Sequence, residues 1–246
     1  MEEDGFYITL PSNTSLDLFP ENTSASFMVR LFKPLDLRGE WEVGLAEIQY
    51  PHTWYTIPQA QKFIVYNEGG EAKWRYHLRQ GYYDNIPQLL GAMNALILKG
   101  PQPRPVVNFF YDEVAGKIRF NGPQNYSFSF EDQLATLLGV PIGKIVKKTI
   151  FSPDITGGFN SLYIYTDIVD HQLVGDTAAP LLRCVPVRGA IHDFTTITYD
   201  KPHYVAINKL HIKTISVEIK THQNRHVSFC YGKVIVRLHL RQRKKW

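Results

Sequence analysis

The chain has 246 residues, 44% of them hydrophobic and 20% charged, with a formal net charge of +4. That balance excludes a disordered chain and supplies enough apolar material for a core. Two cysteines, Cys184 and Cys230, exclude a disulfide framework or a cysteine metal cluster, and the sequence predicts two buried thiols.

Fourteen Tyr, fourteen Phe and four Trp favour strands over helices. The first strand signal is Phe6-Tyr7-Ile8-Thr9-Leu10, stopped by Pro11. A second, over 26–32, is expected to end at Lys33-Pro34, because proline cannot donate to a sheet ladder. Over 41–50, Trp41, Val43 and Leu45 alternate with Glu42 and Gly44, the pattern of a half-buried strand. Strands over 62–66 and 73–78 flank Asn67-Glu68-Gly69-Gly70, a hairpin connection. The period then changes. Ile86, Leu89, Leu90, Met93, Leu96 and Ile97 share one helical face, with Asp84 as N-cap, Pro87 in the first turn and Gly100 as the stop.

After the proline-rich link 101–105, strands are expected over 106–111 and 117–120. A short helix over 131–138 follows, with Ser129 and Asp132 as a capping box and Gly139 as its end. Strands return over 161–166, 181–187, 194–199, 213–219 and 233–240, and His222-Gln223-Asn224-Arg225 reads as a hairpin turn joining the last two. About ten strands and two short helices in inserted loops define an all-β fold, a sandwich or barrel. No convincing boundary divides the chain, so 1–246 reads as one domain.

Catalytic patterns are sparse. His222 and His226 are four apart, a metal-binding spacing on a helix, but here they fall in a turn. Asp167 and Asp170 bracket a strand end, which does not place them in a common cleft. Gly69-Gly70 and Gly157-Gly158 lack the strand-to-helix context of a phosphate loop. The sequence therefore predicts no enzyme, no cofactor and no metal. Leu181-Leu182-Arg183 offers either an interface arginine or one held in a salt bridge inside the subunit. Lys144, Lys147 and Lys148 cluster, and Arg237, Arg241, Arg243, Lys244 and Lys245 form a basic C-terminal run. That run reads as a solvated end or as a candidate DNA-facing tail neutralising phosphates non-specifically. The acidic start reads as lacking a secretory signal, and no apolar run reaches membrane-spanning length, so the three sequons at Asn13, Asn22 and Asn125 read as chance.

Four segments carry a resemblance. They are Phe6-Tyr7-Ile8-Thr9-Leu10-Pro11-Ser12-Asn13 with Phe19-Pro20-Glu21-Asn22-Thr23, and Leu37 to Ile48 with Tyr50-Pro51. The others are Tyr163 to Val169 running to Arg183, and His203-Tyr204-Val205 with the strands up to Leu240. Together they resemble the minor capsid (penton) protein of Polinton/Maverick elements and adintovirus-like viruses, least so over 72–146. The resemblance implies a single jelly-roll capsid domain with insertions. It implies a homopentamer at the vertex of an icosahedral double-stranded DNA virion, beside the major capsid protein and in contact with packaged DNA. A rival reading is a carbohydrate- or receptor-binding β-sandwich using His52-Thr53-Trp54-Tyr55 and Gln80-Gly81-Tyr82-Tyr83.

Overall fold

Alternating residues build strands throughout, as a computed structural model shows over residues 5–67, 70–100, 102–103, 105–122, 126–148 and 151–243. In chain order the elements are β1 (Gly5–Pro11), β2 (Ser26–Asp36), β3 (Trp41–Pro51), β4 (Gln61–Tyr66), β5 (Ala72–Leu78) and α1 (Ile86–Lys99). Next come β6 (Asn108–Asp112), β7 (Lys117–Asn121), β8 (Ser127–Phe130), α2 (Asp132–Leu138) and β9 (Ser161–Thr166). The chain continues with β10 (Gln172–Val174), β11 (Thr177–Ala179), β12 (Leu181–Pro186), β13 (Phe194–Thr198), β14 (Tyr204–Ala206), β15 (His211–Lys220) and β16 (Ile235–Gln242). They form two compact units, Met1–Thr53 with Phe159–Trp246, and Trp54–Gly158.

The first unit is an antiparallel jelly-roll sandwich. One sheet has the order β1-β16-β3, and β13 and β14 share the far edge of β3. The other has the order β12-β9-β15-β2. Leu10, Phe27, Val43, Leu45, Ile48, Ile164, Ile215, Val217, Val236, Leu238 and Leu240 are buried between them. Each such side chain contributes about 1.5–3 kcal/mol by leaving water.

The alternation read in β3 holds, with a change of phase. Arg237 faces Glu47 while Leu238 faces Leu45, so Ala46 is an extra residue against β16. This bulge brings Ile48 and Tyr50 to the same inner face as Val43 and Leu45. β2 does not stop at Pro34. It runs to Asp36 because Thr214 pairs with Arg30 and Ile212 with Leu35, leaving 31–34 looped out along an edge strand that needs no donor there. The turn at 221–225 is real, closed by the Thr221 N–H to the Arg225 carbonyl at 2.8 Å. It closes only a short antiparallel pairing, with Lys220 opposite His226, and does not join the last two long strands: β15 pairs with β2 and β9, whereas β16 pairs with β1 and β3 in the other sheet.

The second unit has a three-stranded sheet β5-β4-β8, the β6–β7 hairpin and both helices. α1 buries Ile86, Leu89, Leu90, Met93 and Ile97, the face its periodicity predicts. Its N-cap is Asn85, not Asp84, and the Asn85 side chain accepts the Gln88 N–H at 2.9 Å. The Asn94 amide clamps the Phe109 backbone, donating to its carbonyl and accepting its N–H at 2.8 Å each. Phe109 in turn packs edge-on to Phe120 and Phe128. The capping box at Ser129 does not form, because Ser129 is a β8 residue whose hydroxyl meets Tyr66 Oη at 3.0 Å. Glu131 caps α2 by position alone, and its carboxylate accepts the Lys62 N–H instead.

Candidate assembly surface

Arg237, His239 and Arg241 project from the outer face of β16, alternating with the core residues Val236, Leu238 and Leu240. On this face Tyr7 lies opposite His239 on one side and Gly44 on the other, with Tyr204 beyond Gly44. The Tyr7 and His239 rings are 4.5 Å apart, and the Tyr204 hydroxyl meets His239 Nδ1 at 2.7 Å. Two glycines make room for this row. A Cβ on Gly5 would come within 2.5 Å of His239 Nε2, and one on Gly44 within 2.7 Å of Pro202 Cβ. His239 is consequently buried on a face that is otherwise an outer surface.

Arginines cap both ends of the row. The Arg237 guanidinium lies 4.5 Å from the Tyr7 ring centroid, and that of Arg241 lies 3.5 Å from the Tyr204 ring. Arg241 also pairs with Glu42, Nε to Oε1 at 2.6 Å. The predicted basic tail thus divides. Arg237 and Arg243 are exposed, Arg241 is half-buried against its carboxylate, and Lys244 and Lys245 lie outside the described residues.

Where both sheets end at β12 and β14, a groove of about 350 Å³ opens, lined by Gln172, Leu181, Leu182, Arg183, Cys184, His203, Tyr204 and Val205. The Leu182 bulge sets Arg183 opposite the buried Ile164, on the inner side of β12. Its guanidinium lies 3.5 Å from the Tyr199 ring centroid, and its Nη1 is buried without a hydrogen-bond partner among the described residues. No ion pair to Arg183 occurs among the described residues, so the salt bridge inside the subunit, one of the two expected alternatives, does not form.

The remaining sequence candidates are held elsewhere. Asp167 accepts from Lys209 Nζ at 2.6 Å and from the Ser216 N–H at 2.7 Å, which ties a loop to β15. His226 meets the Glu218 carboxylate at 3.2 Å, whereas His222 is an exposed turn residue. Burial holds the His52 imidazole below its ordinary range, although its Nδ1 lies 3.0 Å from the Gly189 carbonyl. Both cysteines are exposed, contrary to expectation: Cys184 points out of an edge strand, and Cys230 follows the turn beyond β15. Tyr55 and Tyr82, expected as a sugar platform, are half-buried against each other with ring centroids 4.6 Å apart. No described helix is long and apolar enough to cross a membrane. The Tyr7–His239–Tyr204 row escaped sequence reading because its members come from three distant strands, and only the regular spacing of Arg237, His239 and Arg241 hints at it.

No protein-family model matches the chain, and no curated protein does. Among solved structures, its fold is similar to the crystal structure of the mavirus penton protein, with a TM-score of 0.52 and 12% sequence identity. That likeness covers 98% of this chain and 99% of the other, which places the chain among penton-like jelly-roll folds.

Proposed function

We propose that this chain is the minor capsid protein at the vertices of an icosahedral double-stranded DNA virus or virus-like transposon particle of the Polinton/Maverick or adintovirus-like kind. On this reading it is a structural protein without catalysis that forms a homopentamer, sits beside a major capsid protein and is a component of the virion. One observation carries it: the likeness to the mavirus penton protein runs end to end in both chains, so it takes in the sandwich and the 54–158 unit alike. The jelly roll supplies the assembly body, and the 54–158 unit is an insertion in it. The exposed Arg237 and Arg243 face packaged DNA.

Size exclusion with light scattering tests the assembly. A mass of five copies is expected from the purified full chain, alone or once the major capsid protein is added. A monomer under both conditions overturns the proposal.

A further inference from the structure

The sandwich has two lateral sides with complementary chemistry. On one side β12 ends one sheet while β13 and β14 end the other, and Arg183 on β12 reaches Tyr199 just beyond β13. On the opposite side the sheets end in β1 and β2, joined by the loop over 12–25. That loop is built, not slack. The Leu18 and Phe19 N–H groups both donate to the Ser15 carbonyl, and Ser15 takes a φ of 57°. The Asn22 side chain stitches it to β2, donating to the Thr14 and Met28 carbonyls and accepting the Met28 N–H. At its tip Leu16 and Leu18 are 46% and 51% exposed, and Asp17 between them is exposed and makes no ion pair among the described residues.

Groove and turn match in kind. The groove offers the part-exposed Leu181 and Val205 around one arginine, and the turn offers two leucines around one aspartate. Arg241, the other arginine stacked at 3.5 Å on a tyrosine, carries its own carboxylate in Glu42, whereas Arg183 has none among the described residues. A guanidinium with one nitrogen buried and unpaired gains from a counter-charge delivered together with water-excluding apolar neighbours.

We propose that the Leu16-Asp17-Leu18 turn of one copy seats in the Arg183 groove of the next, with Asp17 pairing to Arg183. The proposal rests on the assembly reading above and specifies the surfaces that meet. A contact joining opposite sides of a subunit is heterologous, and its repetition closes into a ring when the rotation allows.

Charge exchange in the full chain tests it. Asp17→Arg and Arg183→Glu should each weaken self-association by about tenfold or more, read as the concentration at which light scattering shows half the oligomer mass. The double variant should recover most of the loss. Arg183→Leu, which leaves no charge to bury, should weaken association as well and guards against misfolding, with an unchanged circular dichroism spectrum as the control.

A wild-type oligomer indifferent to both single exchanges overturns this contact and leaves the assembly reading standing. A wild type that is monomeric alone and with the major capsid protein overturns both. Acetate that raises the melting temperature of wild type but not of Arg183→Leu, with oligomer mass unaffected by the exchanges, assigns the groove to a free carboxylate and also overturns the contact.

Discussion

Gly44 lies where an added Cβ would come within 2.7 Å of Pro202 Cβ and 2.9 Å of the His203 carbonyl oxygen. Backbone cannot yield cheaply there, so Gly44→Ala should lower stability by about 1–3 kcal/mol in a denaturant titration. Gly91 is the opposite case: an exposed helix-interior glycine with nothing within 4 Å of its missing Cβ. Gly91→Ala should raise stability by about 0.5–1 kcal/mol in the same titration. His52 makes stability depend on pH. Burial sets its folded pKa below the unfolded value of 6.5, so the unfolded chain takes the proton first. Its contribution is therefore complete above pH 6.5 and is lost as pH falls from there toward the lower folded value. The melting temperature should drop through that window, and His52→Asn should flatten the drop. If Arg237 and Arg243 face DNA, changing both to Ala should weaken non-specific DNA retention. The slope of log affinity against log salt should fall by about 0.9 for each phosphate that is no longer neutralised. Filter binding at several salt concentrations reads both.

The elements that periodicity reveals are those whose neighbours do not change it. α1 was legible to its buried face because five apolar residues at helical spacing outweigh one glycine. β3 was legible up to Ala46, where a bulge seen only in the pairing with β16 shifts the phase. Pro34 misled in the other direction: it ends a central strand but not an edge strand with a looped-out stretch. The expected pairing of β15 with β16 across the 222–225 turn fails for a related reason. Turn chemistry shows that the chain reverses, not which sheet it enters next, and β10, β11 and β14 are too short to announce themselves. β16, between β1 and β3, buries Val236, Leu238 and Leu240 completely. Leu238→Ala should cost about 2–5 kcal/mol, measured by chemical denaturation, because strands on both sides prevent the site from collapsing around the void.

For the whole molecule, the all-β class is legible in the sequence, whereas the points at Thr53 and Gly158 that bound the two compact units are not. Strand signals run on across both points, and the only composition break, 101–105, falls inside the second unit. The candidate surfaces were least legible of all. Arg183 stood out only as an arginine after two leucines, and its want of a carboxylate is visible only once Tyr199 is folded over it. A turn aspartate such as Asp17 is ordinary in sequence until its side of the sandwich is known.

The position of β16 in chain order has a consequence for synthesis. β1 and β3 are separated in their sheet by a strand that leaves the ribosome after the other described elements. Until it arrives, both present open ladder edges that other chains can pair with, the circumstance in which nascent β proteins associate wrongly. A chain interrupted before Ile235 should therefore collect in the insoluble fraction at expression levels where the intact chain stays in solution. Slowing translation over the last strand should widen that window of exposure and make yield depend on chaperones.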